Sequence, residues 1–287
     1  MINLFKKKST YLKKEEFTSL NPIVVLDVGC RWGFADKFIQ NNSLEDMLIY
    51  GFDPDIEECK RLEGIYNNDN IKLVPVGLAN KPGKRTLYLT KEPACSSLYK
   101  PNEKLTRDYP ALDCAKETNQ IEVNISTLDI WTKKEDLKYI DYMKIDTQGA
   151  ELSILKGGKN ILRTISFLEI EVEFNPIYDG QPTFSDVDLF LREYGFVLWK
   201  LSNIVHYSKN NESDKELGTD SINYDHHRLE YPVRGGQIYW ADAFYIKKKI
   251  VETSYNKGEI EKIRRHSKIA EMLGFLDLKD RLDKEYL

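Results

Sequence analysis

Cysteine is scarce and scattered in this chain. The four residues, Cys30, Cys59, Cys95 and Cys114, form no CxxC pair and stand at no histidine spacing, which excludes a zinc knuckle or a disulfide framework as organising devices. A reducing, cytoplasmic compartment is therefore expected. Long apolar runs are also lacking. Met1-Ile2-Asn3-Leu4-Phe5 meets Lys6-Lys7-Lys8 at once, too short a stretch for a signal peptide, and no later segment approaches the ~20 apolar residues of a helical span, so no stable membrane insertion is expected. Nor does one sign of charge dominate. Lysine and arginine number 42 against 46 acids, a net charge of -4 that supplies no general field for gathering nucleic acid, and no nucleic-acid partner is expected. Repeats and low-complexity tracts are missing, and no cluster has metal-ligand spacing, so no metal is expected.

What is present suits one soluble domain of generous size: 287 residues, 41% hydrophobic and 31% charged. From Pro22 onward, buried strands alternate with amphipathic helices, the pattern of an α/β domain with a mainly parallel sheet. Ile23 to Val28 is an unbroken apolar run ended by Gly29, as expected of a strand covered on both faces. Further strands are predicted at Leu48–Phe52, Ile71–Val76, Ile121–Ile125, Tyr142–Asp146, Ile165–Phe174, Phe196–Leu201 and Trp240–Ile246. Helices are predicted from about Phe34 to Gln40, Glu57 to Ile65, Glu151 to Lys156 and Phe184 to Tyr194. A hairpin around Lys81-Pro82-Gly83-Lys84 interrupts the alternation. The polar stretch from Asn203 to Gly236 reads as a long loop or excursion. Three parts follow: an arm over 1–20, a domain over 21–250, and a helical tail over 251–287 whose apolar stripe packs on the domain or on a second copy, making a homodimer.

In an open parallel sheet, ligands bind beyond the carboxyl ends of the strands, and the turn after the first strand is usually part of the site. That turn is Asp27-Val28-Gly29-Cys30-Arg31-Trp32-Gly33. Gly29 and Gly33 allow tight turning and close backbone approach. A dinucleotide fingerprint needs a glycine where Arg31 stands and another where Phe34 stands, which argues against a pyrophosphate cofactor. Asp27 points the same way, since S-adenosylmethionine carries an ammonium and a sulfonium and has no phosphate for a carboxylate to repel. Asp53 ends the second strand at the distance usual for an acid accepting ribose hydroxyls. Each residue has a second reading: Asp27 as a strand-end acid bonded to backbone, Asp53 as the N-cap of the helix after Pro54.

Four stretches in order carry a resemblance: Leu26 to Gly33, Gly51-Phe52-Asp53-Pro54, Val76 to Gly83, and Met143-Lys144-Ile145-Asp146-Thr147-Gln148-Gly149-Ala150-Glu151. The sequence resembles the FkbM family of S-adenosylmethionine-dependent methyltransferases over about residues 22 to 247. Supporting matches are Ser96-Ser97-Leu98, Ser126-Thr127-Leu128-Asp129 and Tyr178 to Phe184. Cys30-Arg31-Trp32 and Asp53 depart from the family pattern, the last standing where glutamate is common. The resemblance implies a Rossmann-like class I methyltransferase fold, with a mainly parallel seven-stranded sheet, helices on both faces and a final antiparallel strand. It implies S-adenosyl-L-methionine as cofactor, with Asp27, Gly29 and Gly33 toward the methionine moiety, Asp53 toward the ribose, Gly77 and Leu78 toward the adenine, and Asp146 beside the methyl group; Arg31 and Pro54 are further candidate cofactor contacts in the same loops.

For catalysis, Asp146 is the first candidate to orient or deprotonate an acceptor, its other role being to hold the following loop. Glu169, Glu171 and Glu173 alternate and so share one face of a strand, either placing Glu171 or Glu173 at an acceptor pocket or forming a solvated face. His226, beside His227, is a further candidate base. Tyr178 and Gln181 are candidate acceptor contacts, and Lys144 and Glu151 are expected to orient the loop around Asp146. The expected reaction is O-methylation of a sugar hydroxyl on a small-molecule or glycan acceptor, in polysaccharide or natural-product synthesis. Rival readings are N-methylation of an amino sugar or small molecule, a non-catalytic cofactor-binding scaffold, and a dinucleotide oxidoreductase.

Overall fold

The computed structural model describes residues 22–39, 43–209, 216–224, 227–234, 236–256 and 258–286. Its elements run β1 (Ile23–Val28), α1 (Asp36–Ile39), β2 (Met47–Phe52), α2 (Ile56–Tyr66), β3 (Ile71–Val74), β4 (Gly77–Leu78), β5 (Gly83–Thr90), α3 (Glu103–Asp108), β6 (Glu117–Ser126), α4 (Leu128–Lys134) and β7 (Tyr142–Ile145). They continue with α5 (Glu151–Lys156), β8 (Phe167–Glu173), α6 (Phe184–Glu193), β9 (Phe196–Tyr207), β10 (Glu216–Tyr224), β11 (His227–Arg234), β12 (Gln237–Lys247), α7 (Lys248–Val251), α8 (Ile260–Met272) and α9 (Leu276–Tyr286).

The seven-stranded sheet has the order β3-β2-β1-β7-β8-β12-β9. The β3, β2, β1, β7 and β8 strands pair in parallel, and β12 enters antiparallel between β8 and β9. This is the Rossmann-like methyltransferase architecture, with its lone reversed strand made last. All six residues of β1 are buried, because successive side chains enter two different cores. Val24, Leu26 and Val28 join Met143, Ile145, Ile170, Trp131 and Leu155 on the α4–α6 side. Ile23 and Val25 join Tyr142, Phe167, Phe38, Ile263 and Leu282 on the other.

Local signals explain several boundaries. Asp55 is the N-cap of α2, its carboxylate accepting the Glu57 and Glu58 amides. Asp53 therefore is not that cap, and its Oδ1 instead accepts the Asp55 amide at 2.8 Å. A second sheet, β4-β6-β5, contains the hairpin-like interruption. Three expectations change. The first helix shrinks to the single turn of α1, and between Lys91 and Gln120, where no element is predicted, stands α3, capped by Asn102. The excursion from Asn203 is largely strand: β9 continues to Tyr207, and β10 pairs antiparallel with β11. Its polar composition hid a period-two pattern, seen in Leu229, Tyr231 and Val233, because a two-stranded ribbon needs little apolar sequence.

The tail is built into the domain. Ile263, Ile269, Leu278 and Leu282 are buried in the core beneath β1 and β7. Arg265, 5% exposed, is paired with Asp141, and its Nη2 donates to the Pro22 carbonyl at 2.8 Å. Asp141 in turn accepts the Val24 amide, so α8 is tied directly to the entry of β1. Among the described residues no helix is long and apolar enough to cross a membrane.

Candidate active site

A cavity of about 770 Å³ opens where β1, β2, β7 and β8 end. Its floor is backbone. Gly29 has φ +91°, and its amide donates to the Phe52 carbonyl at 2.9 Å. A Cβ there would lie 1.8 Å from the Asp146 carbonyl oxygen, so only glycine lets the turn after β1 nest against the end of β7.

Of the residues expected to hold a cofactor, Gly29, Arg31, Asp53, Pro54, Gly77, Leu78 and Asp146 line this cavity. Asp27 and Gly33 do not. Gly33 closes the turn through its amide, which donates to the Cys30 carbonyl. Asp27 lies beneath the floor, 1% exposed, with Oδ1 lacking a hydrogen-bond partner and Lys144 Nζ 3.9 Å away. Burial pushes its carboxyl up to about 6, against the opposing pull of Lys144. The loop that departs from the family pattern divides its work: Cys30 is buried in the core, while Arg31 and Trp32 face the cavity. Arg31 Nη2 sits 2.8 Å from Asp55 Oδ2, and its Nε is 3.4 Å from Asp53 Oδ2. Burial raises the Asp53 pKa in spite of that guanidinium.

These residues fit an adenosyl cofactor carrying an ammonium and a sulfonium. A glycine cradle, a buried carboxylate below it whose Oδ1 accepts no hydrogen bond, and an acid at the end of β2 answer its positive charge and its ribose.

At the next strand ends the polar groups interlock. Lys144 Nζ is 3.2 Å from Asp146 Oδ2. Gln148 Nε2 donates to Asp146 Oδ1 at 3.1 Å and to Glu171 Oε2 at 2.6 Å. Gln148 has φ +58°, an uncommon backbone conformation for a residue with a side chain. Glu151 Oε1 gathers the Thr147 and Gly149 amides and the Thr147 hydroxyl, which makes it the brace of this loop, as expected. Its pKa rises to about 7 because burial outweighs those donors.

The glutamates of β8 are all buried, which removes the solvated-face alternative. Glu171 and Glu173 line the cavity, whereas Glu169 is turned toward Lys37 and Tyr142. The pKa of Glu171 stands well above the ordinary carboxylate value through burial and then the neighbouring Asp146 charge; that of Glu173 does so through burial and then Glu151. Burial also raises Glu169, but Lys37 and Lys144 outweigh it and hold its pKa low.

Tyr178 lines the cavity, its hydroxyl 2.7 Å from the Cys95 carbonyl and 3.1 Å from Gln148 Oε1. Gln181 does not reach the cavity. It stands behind Tyr178, its Oε1 accepting the Ile177 and Tyr178 amides, and so it shapes the wall rather than touching what binds there. His226 lies outside the described residues. The histidine that does line the cavity is His206, whose Nδ1 is buried without a hydrogen-bond partner. Sequence reasoning passed over it because it falls in the stretch read as loop. Trp240 and Tyr207 were missed as well; the Trp240 Nε1 donates to the Tyr207 hydroxyl at 3.0 Å, setting two rings in one wall. Gln148 stood between two motif residues and carried no signal of its own.

The reversed strand, the glycine turn after β1 and the acids at the strand ends define a class I methyltransferase domain. The profile of the family described as the methyltransferase FkbM domain matches residues 27–198, and the chain belongs to that family. A 2-O-methyltransferase, NoeI, of Sinorhizobium fredii (strain NBRC 101917 / NGR234) is 28% identical over 167 residues, spanning 55% of this chain and 66% of that protein. The chain thus spans just under two thirds of that relative. Among solved structures, methyltransferase FkbM from Methylobacillus flagellatus KT superposes with a TM-score of 0.41 and 11% identity over 78% of this chain and 43% of its own. The magnesium protoporphyrin IX methyltransferase of Synechocystis PCC 6803 with bound SAM does so with 0.37 and 10%, over 79% and 71%.

Proposed function

We propose that this protein transfers a methyl group from S-adenosylmethionine to a sugar hydroxyl. The observation that carries the catalytic part is the pair Asp146 and Glu171, the first half-buried and the second buried at one cavity wall, joined through Gln148. The sugar part is supported by the similarity to a protein named as a 2-O-methyltransferase.

The cofactor supplies an activated methyl group, so the chain has to align the acceptor, exclude water and take up a proton. Asp53 and the turn at Gly29 seat the cofactor. Asp146, held by Lys144 on one oxygen and Gln148 on the other, orients the acceptor hydroxyl beside it. Glu171 takes the proton, because a carboxylate whose pKa lies well above its ordinary value is the better base near neutrality. Tyr178 closes the wall through its bonds to Cys95 and Gln148.

The test is incubation of the full chain and methyl-labelled cofactor with simple sugars, glycosides and oligosaccharides. Label in an ether methyl supports the proposal. Label on nitrogen of an amino sugar alone replaces it with the N-methyltransferase reading. Cofactor binding with no acceptor in any class favours a non-catalytic scaffold, and failure of a folded sample to bind the cofactor by calorimetry removes the enzyme reading.

A further inference from the structure

We propose that the acceptor carries no phosphate: the cavity takes a neutral or amino-bearing glycoside and rejects the same sugar as its nucleoside diphosphate. This rests on the sugar-methyltransferase reading above.

The observation is the sign of the cavity wall. Asp53, Glu92, Asp146, Glu171 and Glu173 all face the space. Arg31 is the lysine-or-arginine side chain among the described lining residues, and its guanidinium is held against Asp55 and Asp53. Lys144 lies behind the wall, between Asp146 and Asp27.

A sugar nucleotide bears its diphosphate directly on the anomeric oxygen, so the charge cannot be kept distant once the ring is inside. Acid side chains line the space where its charge would lie, and no cation stands free among the described lining residues to receive it. A neutral ring meets the reverse situation. Its hydroxyls donate to carboxylates, and its apolar face matches Trp240 and Tyr178. Methylation then follows glycosyl transfer: the reaction that supplies this substrate joins the sugar to its acceptor hydroxyl as the nucleoside diphosphate leaves.

The experiment compares matched acceptors with the full chain and labelled cofactor: neutral methyl glycosides and short oligosaccharides, uronic-acid glycosides, and the corresponding nucleoside diphosphate sugars. The expected result is a kcat/KM for the neutral forms at least about tenfold above the nucleotide forms, with the uronic acids between. Equal or faster methylation of the nucleotide forms overturns this inference and leaves the sugar reading standing. If cofactor binds but no sugar of any form is methylated, the sugar reading falls and this inference with it. A second arm uses Glu92→Lys at the half-buried rim, with cofactor affinity as the check on folding. The neutral-to-nucleotide ratio is expected to shrink at least about threefold, and an unchanged ratio overturns the electrostatic basis.

Discussion

Asp146 and Glu171 share one donor: Nε2 of Gln148 lies 3.1 Å from an oxygen of the first and 2.6 Å from an oxygen of the second. A single amide thus bridges a half-buried carboxyl just past β7 and a buried one on β8. Replacing it by Gln148→Leu leaves them facing each other without a donor between. We expect kcat to fall roughly 10–100-fold, with cofactor affinity changed less than about threefold. Removal of the donor raises the pKa of Glu171 further, so the rise of kcat with pH moves to higher pH. A pH profile in the wild-type position removes Gln148 from this role.

Asp27 makes a prediction about stability. Its pKa goes from the ordinary 3.8 to about 6 in the folded chain, because burial penalises the charged form. Between those values the folded state binds more protons than the unfolded one, so its stabilising contribution is complete below pH 3.8 and is lost as pH rises through about 6. The loss is roughly 3 kcal/mol for a shift of that size. Asp27→Asn is therefore expected to gain stability relative to wild type at pH 7.5 and little at pH 4. Urea unfolding at the two values measures this, and an equal difference at both contradicts it.

Gly29→Ala is expected to cost at least about 3 kcal/mol, since the added carbon collides with backbone and a positive φ opposes it. Thermal unfolding gives the stability, and calorimetry with cofactor gives the loss of binding. Near-normal values for both would mean that the turn after β1 opens easily.

The third stability test concerns the tail. Arg265→Ala leaves the Asp141 carboxylate buried without its guanidinium, at an expected cost of about 3–5 kcal/mol. Arg265→Met in the double variant with Asp141→Leu should recover much of it, because the charge penalty then disappears from both sides. A single variant within about 0.5 kcal/mol of wild type would show the tail to be an accessory rather than part of the core.

The sheet was readable because its strands are apolar runs closed by glycine or aspartate, and Ile23–Val28 ending at Gly29 is the clearest case. The acids at the ends of β1, β2 and β7 were readable for the same reason, since they interrupt such runs at fixed places. What sequence alone could not give was depth. Asp27 and Asp53 look alike as strand-end acids, yet one lies under the floor and the other faces the cavity. Gln181 and Tyr178 stand three residues apart in one loop, and only the second reaches the cavity. His206 and Trp240 are separated by more than thirty residues and meet one cavity only because β12 returns between β8 and β9.

The bond from Arg265 to Asp141 spans 124 residues, so the two partners leave the ribosome far apart in time. At the usual 5–20 residues per second the interval is about 6–25 s. Throughout it β1 and β7 exist without the helix that covers one of their faces, and Asp141 waits beside them as a solvated charge. The nascent chain is thus expected to hold an open, aggregation-sensitive sheet until α8 emerges, and the closing of that face is the step that a chaperone, or a pause in translation, would govern.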